Sequence, residues 1–143
     1  MLNIQAVNHI GIRIKDKHTS IDFYSILGFE AVADAGFEQG HPIVMKHPSG
    51  VVLNLLGPST DNEPSNILMD VDSKHTGITH FALTVDSLEE TKSFLAKNEI
   101  QITGSFSFGN MSAVFIRDPD RNVIELDAYS GQASEKGDYA DHP

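Results

Sequence analysis

DPDRNVIELD, residues 118–127, lines up with HPSGVVLNLL, residues 47–56. Pro48 falls under Pro119, Val52 under Val123, Leu53 under Ile124 and Leu55 under Leu126, each pair 71 residues apart. In the middle of the matched apolar stretch, one copy carries Glu125 and the other Asn54. The same offset places His9 on His80, at the start of HIGIRI and HFALTV, and Phe23 on Phe94. One spacing thus relates a first strand, a helix and a last strand without an insertion, and the chain reads as a duplicated module.

Each copy carries the same order of patterns. An alternating first strand (about 5–14, then 77–85) reads as half-buried. A helix follows. In the first copy it runs from Ser20 to Leu27, with Gly28 as its stop. In the second, Ser87 is the expected N-cap and Glu90 completes a capping-box pattern. Three further strands are expected in each copy: 29–37, 41–47 and 50–56, then 100–107, 110–117 and 122–129. Pro48-Ser49-Gly50 and Pro119-Asp120-Arg121-Asn122 supply the turns before the last strands. The fold class is α+β, βαβββ twice. The expected organisation is a first module at 1–56, a linker at 57–76, a second module at 77–129 and a polar, mobile tail at 130–143. Ile67-Leu68-Met69 are expected to pin the linker on an apolar surface. That linker is long by ordinary connection lengths, which favours exchange of modules in a dimer.

Composition bounds the function. At 143 residues, 40% hydrophobic and 21% charged, the chain is an ordinary globular one. Its net charge of −10 argues against nucleic acid and against an anionic membrane surface. No apolar run approaches a membrane span, and the N-terminus lacks the pattern of a signal peptide, so a cytoplasmic protein is expected. The absence of cysteine rules out disulfides, thiolate metal sites and cysteine nucleophiles.

Side chains alternate faces along a strand. If Ile10, Ile12 and Ile14 face the helix, then His9, Gly11 and Arg13 face away. Likewise Phe81, Leu83 and Val85 leave His80, Ala82 and Thr84 on the opposite side. In the last strands Ile124, Leu126, Leu53 and Leu55 are helix-side, while Glu125 and Asn54 oppose them. His9, His80, Glu125 and Asn54 therefore occupy matched positions on non-helix faces, and would converge if two curved sheets closed toward each other. A single strand histidine is ordinarily a solvated or hydrogen-bonded residue, and only the repeat register lifts these two above that reading. A carboxylate in an apolar strand needs a cation, a donor or water. Two imidazoles and one carboxylate meet the needs of a divalent metal with open coordination positions. His18, His41, His47, His75 and His142 read as having no repeat partner, lie in helix starts, turns or the tail, and are expected to be solvated, with His41 the candidate to reach a strand edge.

HIGIRI with SIDFYSILGFE, GITHFALTVDSLEETKSFLAKNEI and FIRDPDRNVIELDAY together resemble the vicinal oxygen chelate superfamily. That group includes glyoxalase I, extradiol dioxygenases, and fosfomycin- and bleomycin-resistance proteins. The resemblance covers residues 4–129 and implies paired βαβββ modules whose open half-barrel sheets surround one divalent metal (Ni, Co, Mn, Zn or Fe), usually in a homodimer. It maps the metal ligands to His9, His80 and Glu125, with Asn54 at a fourth position. Glyoxalase I-like enzymes generally carry glutamate at both last-strand positions, and Asn54 cannot accept a proton at neutral pH. Extradiol dioxygenases share the two-histidine, one-carboxylate set but usually carry a tyrosine where this chain has Phe115. Fosfomycin-resistance proteins have a basic anion site with no counterpart near Glu125, and bleomycin-binding relatives lack the ligands.

The expectation is a metal-dependent, glyoxalase-like lyase or isomerase acting on a small substrate with vicinal oxygens, Glu125 and Asn54 being its catalytic residues. An Fe(II) dioxygenase is the alternative, and a small-molecule-binding protein without turnover the further one. Arg13 is a candidate anion contact, and Phe106, Phe108 and Phe115 are candidate pocket walls that could equally be core.

Overall fold

The computed structural model describes residues 1–62 and 65–130. The chain divides into two compact units, Met1–Glu63 and Pro64–Pro143. The first runs β1 (Ile10–Arg13), α1 (Lys17–Ile26), β2 (Glu30–Asp34), a 3-10 turn (Phe37–Gln39), β3 (Ile43–Lys46) and β4 (Val52–Leu56). The second runs β5 (His80–Thr84), α2 (Leu88–Lys97), β6 (Gly104–Phe108), β7 (Met111–Arg117) and β8 (Val123–Tyr129). Each unit is βαβββ with one open four-stranded sheet, of order β1-β4-β3-β2 or β5-β8-β7-β6. The first strand pairs with the last in parallel, and the remaining pairs are antiparallel.

The 71-residue spacing holds down to the hydrogen-bond ladder. Gly11 pairs with Asn54 as Ala82 pairs with Glu125. Val44 pairs with Asn54 as Phe115 pairs with Glu125, and Ala33 with Val44 as Gly104 with Phe115. A one-residue slip would turn a whole strand inside out, so this agreement fixes which side chains share a face.

Both helices are built the same way. Asp16 accepts from the Thr19 N–H at 2.8 Å, and Ser87 from the Glu90 N–H at 3.2 Å, capping α1 and α2 at matched positions. At the other end, Gly28 and Phe29 donate back to Ser25 and Tyr24, as Glu99 and Ile100 do to Ala96 and Leu95. Gly28 and Glu99 both have positive φ, 100° and 57°, as this type of helix stop requires. The helix therefore starts earlier than Ser20. The polar first turn after Asp16 hides it from apolar periodicity, and Ser20 lies fully buried inside α1.

Most of the core is the helix side of each sheet, although Met111, Ala113, Val123 and Asp127 are buried on the opposite face of the second. Ile12, Ile14, Ile43, Met45, Leu53 and Leu55 are buried in the first unit, with Tyr24 of α1. Val114, Ile116, Ile124 and Leu126 are buried in the second, with Leu95 of α2. The first strands are shorter than expected: residues 5–9 and 77–79 lie outside β1 and β5. His47 proves to have a repeat partner after all. Its Nδ1 accepts from the Ser49 N–H at 3.0 Å, just as Asp118 accepts from the Asp120 N–H at 2.9 Å. The match was hidden because it joins an imidazole to a carboxylate.

The expected linker is held by charge. Asp70 takes both Arg117 amino groups, at 3.0 and 3.1 Å, the Arg121 Nε at 2.8 Å and the Asn66 N–H at 2.8 Å. The Arg121 guanidinium, then that of Arg117, holds the Asp70 carboxyl far below the usual carboxylate range. Of the apolar trio, Leu68 packs against Gly77, whereas Ile67 and Met69 are exposed. Apart from Ser130, the polar tail lies outside the described residues.

Candidate metal centre

β5 and β8 lie side by side at the edge of the second sheet, and their non-helix faces carry the candidate ligands. Across that face the register sets out rows. His80, Val123 and Arg117 form the first, Ala82, Glu125, Phe115 and Gly104 the second, and Thr84, Asp127, Ala113 and Phe106 the third. His80 and Glu125 thus sit on adjacent strands, one step apart. The His80 Nε2 is 4.0 Å from the Glu125 Oε1, beyond hydrogen-bond reach. The Glu125 side chain is 15% exposed and that of His80 37% exposed. The other ring nitrogen of His80, Nδ1, is 2.8 Å from the Thr79 hydroxyl.

An imidazole nitrogen and a carboxylate oxygen on adjacent strands, 4.0 Å apart, are donors of the types a divalent cation takes. Phe115 flanks both, as Glu125's cross-strand neighbour and with its ring edge-on to His80, centroids 6.1 Å apart. Phe106 and Phe108 continue the same face along β6, half-buried and exposed respectively. Arg117 shares the face, but its charge is taken up bidentately by Asp70.

In the first unit the equivalent face carries Gly11, Asn54, Val44 and Ala33 in one row. Asn54 is half-buried, and Arg13 is exposed on the same side. His9 immediately precedes β1, is exposed, and has its Nδ1 2.7 Å from the Asn8 Oδ1. The structure therefore joins His80, Glu125 and Phe115 within one unit and sets Asn54 at the repeat-matched position of the other. Among the described residues, no three His, Asp or Glu side chains gather into a metal-binding group. His41 is exposed. Asn8 and Thr79 escaped the sequence reading, although both lie one residue before a candidate ligand and 71 residues apart.

The family model for the Glyoxalase/Bleomycin resistance protein/Dioxygenase superfamily matches residues 6–126. The chain belongs to this superfamily. Within it, the glyoxalase domain-containing protein RDO1 of Mycosarcoma maydis is 27% identical over 136 residues, 90% of this chain and 70% of that one. The glyoxalase family protein from Enterococcus faecalis is 23% identical, with a TM-score of 0.70 over 86% of this chain and 97% of its own. Lactoylglutathione lyase from Agrobacterium tumefaciens is 22% identical, with a TM-score of 0.64 over 87% of this chain and 94% of its own. At these identities the structural likeness establishes the superfamily's fold, and the tandem βαβββ architecture is the one expected from sequence. Among the described residues, no helix is long and apolar enough to cross a membrane.

Proposed function

We propose that the chain is a divalent-metal-dependent enzyme of glyoxalase-like type, a lyase or isomerase acting on a small substrate with vicinal oxygens. The observation that carries this reading is the His80–Glu125 pair on one face of the second sheet, its donor atoms 4.0 Å apart. His9, from a first module of the same chain or of a second copy in a homodimer, completes the ligand set. A divalent ion held there would supply Lewis-acid polarisation of a substrate oxygen. Membership of a superfamily that contains a lactoylglutathione lyase supports the reaction class.

The remaining roles fall to this chain's own side chains. Glu125, half-buried beside Phe115, is the one carboxylate of the matched pair and is assigned to take up or return a proton at Oε1 or Oε2. Asn54 cannot exchange a proton and orients the substrate through its amide. Phe115, Phe106 and Phe108 give the second sheet an apolar strip that would exclude water from one side of the reacting carbons. Arg13 would meet an anionic group of the substrate.

The test is metal binding followed by turnover. After chelation, the wild type is expected to take up one Co²⁺ or Ni²⁺ per site, and His80→Ala to lose that uptake. Unchanged metal content in His80→Ala would contradict the assignment. Oxygen consumption by the Fe²⁺-loaded protein would favour a dioxygenase. Metal binding and ligand binding without turnover would leave a sequestering protein.

A further inference from the structure

The turns that lead into the two last strands are built alike and closed by different acceptors. The His47 N–H donates to the Val51 carbonyl at 2.9 Å, as the Asp118 N–H does to that of Asn122 at 3.0 Å. Gly50 and Arg121 each donate back to the carbonyl that opens the turn, at 2.9 Å. Inside each turn a side chain takes a backbone N–H: the His47 Nδ1 that of Ser49 at 3.0 Å, the Asp118 Oδ1 that of Asp120 at 2.9 Å. Asp118 also accepts from the backbone N–H and the side-chain amide of Asn122, at 2.8 and 2.9 Å. A backbone N–H can only donate, so the His47 Nδ1 must offer a lone pair, and the ring is neutral with its proton at Nε2. The Ser49 hydroxyl, 2.7 Å from the same nitrogen, fits either role and leaves this unchanged.

A protonated ring carries hydrogen on both nitrogens. It could still donate to the Ser49 hydroxyl, but it would turn an N–H against the Ser49 N–H. The other surroundings of the ring are known. The Phe29 ring lies tilted beside it, centroids 5.2 Å apart. Gly28, just past the end of α1, lies against its far side, where an added Cβ would stand 3.0 Å from Nε2. The carbonyl end of α1 favours a cation there, and the last turn of α1, Phe23 to Ile26, has no charged side chain. Lys46 adjoins His47 on β3, with Glu30 across the ladder. Among the described residues no carboxylate forms an ion pair with the ring. We propose that His47 makes the β3–β4 turn an acid-sensitive latch, closed by the neutral ring and released when protonation takes the acceptor from the Ser49 N–H. The β7–β8 turn, held by a carboxylate, stays closed over the same range. Free imidazoles take up a proton near pH ~6.5 and free carboxyls near pH ~4. Mild acid therefore opens the turn in front of Asn54 and leaves the one in front of Glu125 shut.

Amide and histidine ¹⁵N NMR spectra of the full, metal-free chain between about pH 7.5 and about pH 5, spanning the imidazole range, test this. In the wild type at the upper end, His47 should carry its proton at Nε2. As the ring takes up its second proton, the Ser49 amide signal should move upfield. Its protection, measured against intrinsic exchange, should fall by roughly 2- to 10-fold, the worth of one ordinary hydrogen bond. The Asp120 amide should hold still. His47→Asp copies the second module, and His47→Asn supplies an amide oxygen that accepts at any pH; in both, the Ser49 signal should hold still over this range. A neutral His47 protonated at Nδ1 overturns the inference, as does a Ser49 amide that holds still while the wild-type ring titrates. Ser49 movement that persists in either folded variant overturns it as well.

Discussion

The two modules share a backbone plan and differ in what their non-helix faces carry. Helices Lys17–Ile26 and Leu88–Lys97 begin and end 71 residues apart, and the registers of the parallel first and last strands agree to the residue. Yet Asn54 stands where the second module has Glu125, and Val44 where it has Phe115. At the edge of the same faces, Lys46 replaces Arg117, which in the second module is tied to Asp70. Positions that fill the core are nearly interchangeable: Leu53 for Ile124, Met45 for Ile116, Leu55 for Leu126. Duplication preserved the packing and let the chemical face diverge. The second module carries the anion, an aromatic wall and a neighbouring cation whose charge is already spent. The first carries an amide and an exposed arginine.

Making the modules alike is the way to break this comparison. Glu125→Asn turns the second face into a copy of the first and should have the largest effect. Divalent metal affinity should fall by more than roughly 100-fold, beyond the loss typical of an outer-shell partner. Circular dichroism should stay unchanged, because Glu125 is only half-buried and outside the core. The measurement is equilibrium dialysis with Ni²⁺.

Asp70→Asn removes the negative charge and one of the two acceptor oxygens that hold two arginines, and should destabilise the chain by about 2 kcal/mol in urea denaturation, the scale of hydrogen bonds to charged groups. The pH dependence follows from the same group. The Asp70 carboxyl is depressed in the fold, so its contribution is complete above the ordinary carboxylate range and is lost as acid protonates it. Wild-type stability should therefore fall below about pH 4, and the difference from Asp70→Asn should shrink there. A difference that persists undiminished at pH 2 would contradict this account of Asp70.

The smallest effect concerns the helix stops. Glu99 holds a left-handed conformation that Gly28 adopts without steric cost, φ 57° against 100°. Glu99→Gly should stabilise the second module by about 0.5 kcal/mol, whereas Gly28→Ala should destabilise the first, since its new Cβ would lie 3.0 Å from the His47 ring. Thermal unfolding of both variants checks the pair.

The repeat was legible because its strongest marks are apolar residues and prolines at fixed spacing. Pro48 and Pro119 with the alternation of VVLNLL and VIELDA give both last strands and the faces of their side chains, while the order of strands in each sheet came only from the structure. The start of α1 was not legible, since Asp16 caps a turn of polar residues that shows no period. Nor was the role of His47, whose side chain repeats the Asp118 turn with a different acceptor. His9, His80 and Glu125 stand out in the sequence because residue type and register agree, and the structure brings His80 and Glu125 to adjacent strands. Thr79 and Asn8 carry no chemical mark of their own; only side-chain distances pick them out. Asp70 lies outside the repeat altogether, and nothing in the linker's composition distinguishes it from Asp61 or Asp72.

The central claim is that the duplicated faces are unequal and that the carboxylate-bearing one anchors the metal. Elemental analysis of wild type, Glu125→Gln and Asn54→Ala, each reloaded with Co²⁺ after chelation and then desalted, tests it most directly. The account predicts stoichiometric cobalt in the wild type, retained cobalt in Asn54→Ala, and near-complete loss in Glu125→Gln. Cobalt retained in Glu125→Gln and lost in Asn54→Ala would contradict it.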